Sequence, residues 1–438
     1  MKQQKTYRTS FILLTTLFFL WGFITVLVDS LIPRLRELFT LTYFQAGMVQ
    51  FAFFGAYFLL SIPASYMLSK IGYKKGIILG LITMALGCLL FYPAASYRVF
   101  GVFMLAYFIL AGGMTILQVA ANPYVAILGS EDGASSRLNL SQAFNSLGAA
   151  IAPVIGALFI LSDKIKTKDE ISGLTVTAKE SYLASEALAV QTPFLGLALF
   201  TIAIAVVFLF AKLPKLIKET TIEGTYTDAF KQKNLMQGVL AILFYVGAEV
   251  AIGSYLVNYF LDMNLVAVIK ENELMRSIAE GLLNSGLANN DNKAIVGVFV
   301  VFYWSGAMVG RFVGSYLTKI MKPGKVLGIF ASIAITLILI SISTTGLLSM
   351  WSILAVGLFN SIMFPTIFTL AIKGIGELKP KASGLLCTAI VGGAIIPPLY
   401  GYFTDIIGFK AALVFVIICY AYILWYGYKN SKKTILYV

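Results

Sequence analysis

The stretch from Gly112 to Gly148, GGMTILQVAANPYVAILGSEDGASSRLNLSQAFNSLG, decides the fold. Apolar runs lie on both sides of it. Inside it, amide side chains recur at helical spacing: Gln118 and Asn122 are four apart, and Asn139, Gln142 and Asn145 are three apart. Residues three or four apart share one helix face. Two consecutive membrane helices that each carry an amide face must turn those faces toward a water-filled or substrate-filled interior, because polar groups are costly in lipid.

Composition supports a membrane setting for these helices. The chain has 438 residues, 59% hydrophobic and 12% charged. A soluble protein carries roughly 45–50% apolar and about 25% charged residues. The excess is arranged in runs near the length that crosses a bilayer, about 20 residues. The net charge of +13 is scattered through short loops, as topology-setting lysines are, and no basic patch with interleaved aromatics marks a nucleic-acid partner. Cys88, Cys387 and Cys419 fall in apolar runs without metal-ligand spacing and read as small buried hydrophobes. The chain has no histidine, which excludes a histidine proton relay, a histidine metal site and a Ser-His-Asp triad. No cofactor, metal or enzymatic chemistry is expected. The first apolar run reaches a full span and lacks a small-residue cleavage site, so it reads as a membrane helix.

Twelve spans are expected, near 10–33, 44–69, 76–96, 99–129, 136–161, 193–212, 236–262, 293–319, 324–343, 348–372, 383–407 and 410–428. An even number puts both termini on one side. That side, with its connections, carries 21 Lys and Arg against 11 on the other, and Arg311 lies within a span. The bias places both termini in the cytoplasm. The outside segments near 162–192 and 263–292 read as long loops.

The two halves of the chain repeat. Pro153-Val-Ile-Gly156 in the fifth span matches Pro398-Leu-Tyr-Gly401 in the eleventh, and Asn122-Pro123 matches Phe364-Pro365. At that second offset Gln118 falls opposite Asn360. Basic turns follow the second and eighth spans, Ser69–Lys75 and Thr318–Lys325. The expected fold is an all-α membrane protein of twelve helices in two pseudo-symmetric six-helix halves: 1–212, a cytoplasmic linker 213–235, and 236–438. Parallel halves joined by a long linker characterise rocking transporters with a site near the midplane.

Three ionisable groups lie well inside the spans: Asp29, Glu249 and Arg311. A charge there costs at least ~2.5–3.5 kcal/mol on insertion scales, so each needs solvation, a partner or a proton. Asp29 reads as a carboxylate that takes a proton when the site closes, or as a solvated end-of-span group. Glu249, deeper and with no opposite charge nearby in sequence, reads as a carboxylate for sugar hydroxyls or a proton. Arg311 reads as a structural or gating group. Gln118, Asn122, Gln142, Asn145 and Asn360 donate and accept, as hydroxyls do, and together suit a polyhydroxylated neutral solute; each alone also suits a helix–helix hydrogen bond. Trp21, Tyr124, Tyr245, Tyr255 and Trp304 are candidate surfaces for the apolar face of a sugar ring. Pro123, Pro153, Pro365 and Pro397-Pro398 mark the spans able to bend.

Several runs are more specific: Phe19-Leu20-Trp21-Gly22 with Asp29; Ala120-Ala121-Asn122-Pro123-Tyr124-Val125; Arg137-Leu138-Asn139-Leu140-Ser141-Gln142-Ala143-Phe144-Asn145-Ser146; Tyr245-Val246-Gly247-Ala248-Glu249; Gly310-Arg311-Phe312; and Phe364-Pro365-Thr366. In these the chain resembles the major facilitator superfamily, and within it the fucose–galactose–glucose:proton symporters of bacterial inner membranes. The resemblance implies a multi-pass carrier that imports a neutral hexose by proton symport, with sodium coupling, an amino sugar or fucose as alternatives and a multidrug exporter as a remoter one. It implies proton coupling at Asp29 and Glu249, sugar binding by Trp21, Gln118, Asn122, Gln142, Asn145, Tyr245, Glu249 and Asn360, and gating or structural roles for Arg137 and Arg311. The partners it implies are a sugar, a proton and the lipid bilayer, with the chain working as a monomer. Against the fucose carriers of that family, Gln118 stands where an acid is expected and Glu249 where a glutamine is expected, so one carboxylate has moved between the halves.

Overall fold

A computed structural model describes residues 2–38, 43–159, 173–214 and 224–432. Side chains are described over the same stretches except at 2–6, 29–38, 43–47, 50, 154–159, 183, 186 and 190. Among the described residues there are helices and no strands. The long helices are α1 (Lys2–Leu38), α2 (Tyr43–Ile71), α3 (Tyr73–Tyr97), α4 (Phe100–Ile127), α5 (Ala134–Phe159) and α6 (Val176–Phe210). They continue with α7 (Lys233–Asp262), α8 (Asn292–Ile320), α9 (Pro323–Ser343), α10 (Gly346–Ala371), α11 (Gly376–Ile407) and α12 (Phe409–Lys432). Eleven of these carry described stretches long and apolar enough to cross a membrane. The remaining one, α5, has 26 residues and occupies the place of the fifth expected span.

The outside segments differ from expectation. The run before the sixth span is helical from Val176, so α6 has 35 residues. Its first turns, VTAKESYLASEALAVQ, are rich in Ala, Glu, Lys and Leu, which favour helix whatever their polarity. Thr175 starts the helix by accepting from the Ala178 N–H at 3.4 Å. The segment after α7 likewise folds into two short helices, Leu265–Glu271 and Glu273–Leu283, with Asn272 capping the second through the Met275 N–H at 3.0 Å. Hydropathy missed both because neither is apolar enough to register as a span.

Breaks in the helices fall where the prolines lie. α10 is interrupted by a turn at Ser361–Ile362, between Asn360 and Pro365. α11 passes through a 3-10 turn at Ala389–Val391, just before Gly392 and Pro397-Pro398. Such interruptions free backbone groups and bend helices.

Close helix crossings depend on glycine, and they repeat between the halves. In the first half α1 meets α5: a Cβ at Gly22 would overlap the Asn145 carbonyl oxygen, and one at Gly148 the Phe19 carbonyl oxygen. In the second half α7 meets α11: a Cβ at Gly247 would overlap the Ile396 side chain, and one at Gly392 the Leu243 carbonyl oxygen. The first and fifth helices of each half therefore cross backbone to backbone, which in lipid is a main source of helix association. The turn between α2 and α3 is the single residue Gly72, at φ 79°. The corresponding α8–α9 turn instead starts α9 with Pro323 at its first position.

By compactness the chain forms two units. One comprises Met1–Ala134, Phe144–Lys231 and Gly374–Thr388; the other comprises Ser135–Ala143, Gln232–Lys373 and Ala389–Val438. The start of α5 thus belongs with the second unit and the start of α11 with the first. Within the first unit, Ser383 Oγ donates to the Val119 carbonyl at 2.8 Å and Lys379 Nζ lies 3.3 Å from Glu131 Oε1. That ion pair is partly exposed and contributes about 0–1 kcal/mol. The connecting helix Tyr226–Lys231 is held in the same unit by the Tyr226 hydroxyl, which donates to the Ile62 carbonyl at 3.0 Å. The Asp228 carboxylate accepts from the Thr225 N–H at 2.8 Å, which holds it below the ordinary aspartate range. Within the second unit, Ser135 Oγ and Thr369 Oγ1 are 2.6 Å apart, and Asn139 Nδ2 donates to Thr366 Oγ1 at 3.1 Å.

Candidate functional site

In the first unit, α2 and α4 bring a tyrosine and an amide together. Gln118 Nε2 donates to the Tyr57 hydroxyl at 2.9 Å. Tyr57 is 1% exposed, and Gln118 Oε1 is buried with no hydrogen-bond partner. Asn122 lies one turn further along α4 and is fully buried. Trp21 is buried on α1, tilted against Phe18 at 5.6 Å, and its carbonyl accepts from Thr25 Oγ1 at 2.9 Å. Asn145, on α5, donates through Nδ2 to the Phe18 carbonyl at 2.9 Å. It fastens α5 to α1 beside the Gly22–Gly148 crossing. Asp29 lies in α1, but its side chain falls outside the described residues.

In the second unit the polar groups are denser. Tyr245 and Glu249 are one turn apart on α7, and the tyrosine hydroxyl sits beside the carboxylate. Both atoms, Tyr245 OH and Glu249 Oε1, are shielded from solvent, and neither makes a hydrogen bond of full geometry, the contact between the two groups included. Arg311 on α8 is within electrostatic range of Glu249. Its Nε donates to the Ser361 carbonyl at 3.2 Å, at the break in α10, and its NH1 to the Gln142 carbonyl at 3.4 Å. Asn360, 0% exposed, donates through Nδ2 to Tyr303 OH at 2.7 Å and to Tyr420 OH at 3.4 Å, and its Oδ1 has no partner. The Tyr303 hydroxyl in turn donates to the Glu249 carbonyl at 3.5 Å. A buried acceptor left unmade costs about 1–3 kcal/mol, so several orphan oxygens in one place indicate groups that await a partner.

The structure thus brings Tyr245, Glu249, Asn360 and Arg311 into one cluster, and Arg311 also reaches the main chain at Gln142. Gln142 and Asn145 share a face of α5 but fall in different units. Arg137 lies on the same early stretch of α5 as Gln142, half-buried. Among the other ring candidates, Trp304 packs edge-on against Tyr303 at 5.1 Å, and Tyr124 and Tyr255 make contacts elsewhere. Trp304 is 49% exposed, as on a lipid-facing surface. Tyr124 donates to the Pro214 carbonyl at 2.7 Å. Tyr255 packs edge-on against Tyr400 at 5.2 Å.

Reading the sequence alone missed Tyr57, Tyr303 and Tyr420, which complete the amide network through their hydroxyls. A signal was present: Tyr57 and Tyr303 stand in the second helix of each half, near the offset that relates Gln118 to Asn360.

Two six-helix halves with repeated crossings, and amides and one acid buried in the spans, define a transporter fold. A family model for the Major Facilitator Superfamily matches residues 9–396, and the chain belongs to that superfamily. It is therefore a multi-pass membrane transporter and not an enzyme. A glucose/galactose transporter of Brucella abortus is 46% identical over 435 residues, covering 98% of this chain and 96% of the relative. The L-fucose-proton symporter of Escherichia coli is 35% identical over 439 residues, covering 98% and 95%. A crystal structure of FucP, a Major Facilitator Superfamily transporter in the outward conformation, matches with a TM-score of 0.86 at 32% identity, covering 98% of this chain and 100% of that one.

Proposed function

We propose that the chain is a secondary active transporter that imports a neutral hexose, of the glucose or galactose type, together with a proton. The observation that carries this reading is Glu249: a carboxylate in the middle of an apolar helix, its Oε1 shielded and unpartnered, with Tyr245, Arg311 and Asn360 around it. A carboxylate accepts strongly from hydroxyls, and the names of the Brucella abortus and Escherichia coli relatives supply the class of solute. The residues assigned to hydrogen-bond the sugar are Glu249, Tyr245, Asn360, Gln118 and Asn122. Trp21 packs on it, Gln142 joins it, and Asn145 holds α1 against α5 beside it. Arg311 and Arg137 tie the start of α5 in place during the cycle. Asp29 carries the coupling proton. The protein is assigned to a bacterial inner membrane as a monomer, with both termini in the cytoplasm, a reading that the lysine and arginine bias supports.

The test is alkalinisation of lightly buffered membrane vesicles on addition of D-glucose or D-galactose. Alkalinisation that accompanies labelled-sugar uptake supports the reading. Uptake without a pH change, or uptake that follows sodium at fixed pH, overturns proton coupling. Asp29→Asn is expected to abolish the sugar-driven pH change and accumulation against a gradient. Exchange of labelled for unlabelled sugar is expected to stay within about threefold of the wild type, since a neutral amide keeps the shape and hydrogen-bonding capacity of the protonated acid. Loss of exchange to the same extent as accumulation assigns Asp29 to binding instead.

A further inference from the structure

Within the first unit, α3 and α6 lie side by side along their length. Three contacts fix their register. Lys74 Nζ donates to the Leu209 carbonyl at 2.9 Å, the Phe91 and Phe194 rings stack at 3.8 Å, and Gln191 Nε2 donates to Ser96 Oγ at 2.7 Å. Residue numbers rise along one helix as they fall along the other, so the pair is antiparallel. Lys74 and Ser96 are 22 residues apart, which is about 33 Å of helix and close to the ~30 Å hydrocarbon thickness of a bilayer. The pair therefore spans the apolar layer from edge to edge. Each helix keeps an exposed apolar stripe: Ile82, Leu86 and Leu89 on α3, and Leu199, Val206 and Leu209 on α6. Their spacings of three, four and seven put each set on one helix face.

Lysines gather where both stripes end on the same side. Lys75 heads the α3 stripe, seven residues before Ile82, and Lys212 follows Leu209 just past the end of α6; both are exposed. Lys70 closes α2 across the one-residue turn at Gly72. Its Nζ sits 4.4 Å from the centre of the exposed Tyr66 ring. Lys74 has a different task, since it satisfies a carbonyl that the end of α6 leaves open. Among the described residues, no carboxylate forms an ion pair with Lys70, Lys75 or Lys212. Three positive charges thus stand at the rim of a lipid-facing surface, beside the exposed rings of Tyr66 and Phe210.

We propose that this corner of the first unit binds an anionic phospholipid, its phosphate held by Lys70, Lys75 and Lys212 and its acyl chains laid on the exposed stripes of α3 and α6. The apolar stripes begin directly beneath the charges, which suits a lipid better than a soluble anion. A zwitterionic headgroup brings a cation that the lysines repel, so the site favours a headgroup without an amine, as in phosphatidylglycerol. Aromatic rings rest at headgroup depth, and lysine stems lie along apolar surface while their ammonium groups reach the phosphates. The bound phosphate offsets the mutual repulsion of four lysines crowded at the ends of three helices, so the lipid holds α2, α3 and α6 together there. The inference concerns the first unit alone and does not depend on what the protein carries.

The experiment is thermal melting of the purified full chain in dodecyl maltoside, with dioleoyl phosphatidylglycerol or dioleoyl phosphatidylcholine titrated in. Phosphatidylglycerol is expected to raise the melting temperature saturably, and phosphatidylcholine to raise it much less. The triple variant Lys70→Gln/Lys75→Gln/Lys212→Gln changes exposed side chains and leaves Lys74 in place. Without lipid it is expected to melt within about 2 °C of the wild type. Its half-saturating phosphatidylglycerol concentration is expected to rise on the order of a hundredfold, at about fivefold per lysine. Lys319→Gln/Lys322→Gln/Lys325→Gln removes the same charge from the basic turn of the second unit and is expected to leave that concentration within about threefold of the wild type. Equal shifts in the two triple variants would reduce the effect to general charge attraction and overturn the proposal. Equal stabilisation by the two lipids overturns it as well. So does stabilisation by soluble sn-glycerol 3-phosphate at the concentrations at which the lipid acts, which would show an anion site without a lipid.

Discussion

Glu249→Gln is expected to weaken hexose uptake by about ten- to a hundredfold in KM, with protein level and thermal melting unchanged. The magnitude follows from the bond lost: hydrogen bonds to a charged group contribute about 1.5–3 kcal/mol, against roughly 1 kcal/mol between neutral groups. Gln keeps the shape of the site and one carbonyl oxygen but removes the charge that Arg311 faces across the cluster. It also offers an NH2 where Oε1 now waits for a donor. A sugar hydroxyl then meets a donor in place of an acceptor, and Arg311 faces a neutral amide where the carboxylate stood. Labelled-sugar uptake with protein quantified in the same membranes reads the effect. A KM within twofold of the wild type would sink the role given to Glu249. A drop in melting temperature of the same order as in the glycine variants below would make the residue structural.

The second large effect concerns backbone crossings. Gly148→Ala and Gly392→Ala each place a methyl group inside contact distance of a carbonyl oxygen on the facing helix, Phe19 and Leu243 respectively. Main-chain atoms cannot rotate away as a side-chain tip can, so the helices must separate, which typically costs about 1–3 kcal/mol. Both variants are expected to lose thermal stability in detergent and most of their transport. Gly101→Ala and Gly196→Ala are the controls, because a Cβ at either meets nothing within 4 Å. There the usual advantage of alanine in a helix, up to about 1 kcal/mol over glycine, should leave stability equal or improved. Equal behaviour of all four variants would show that the α1–α5 and α7–α11 crossings are looser than described.

Much of this was legible in the sequence because a bilayer imposes simple rules. Span length, the lysine bias and the repeat of Pro153 at Pro398 sufficed for a twelve-helix reading with two halves. Polar residues in apolar runs drew attention for the same reason, and Glu249 and Asn360 do meet in one cluster. Other features escaped for physical causes. The helical starts of α6 and of Glu273–Leu283 are polar, so their signal is propensity and capping, which hydropathy does not see. The tyrosines joined to Gln118 and Asn360 are 61 and 57 residues away along the chain. Only packing reveals that Tyr57 and Tyr303 supply hydroxyls to these amides. Gln142 and Asn145 share a helix face, yet α5 passes from one compact unit to the other between them.

That passage bears on how the protein is made. Because Gly374–Thr388 belongs to the first unit, that unit is not complete until Thr388 has left the ribosome. The second unit, conversely, needs nine residues, Ser135–Ala143, that are synthesised long before the rest of it. Neither unit is encoded by an unbroken stretch of the gene. A gene cut within the 213–235 linker therefore yields two fragments that each lack a piece of their own unit and carry a piece of the other. When the fragments are produced together, reassembly must restore both exchanged segments before either unit has its full set of contacts.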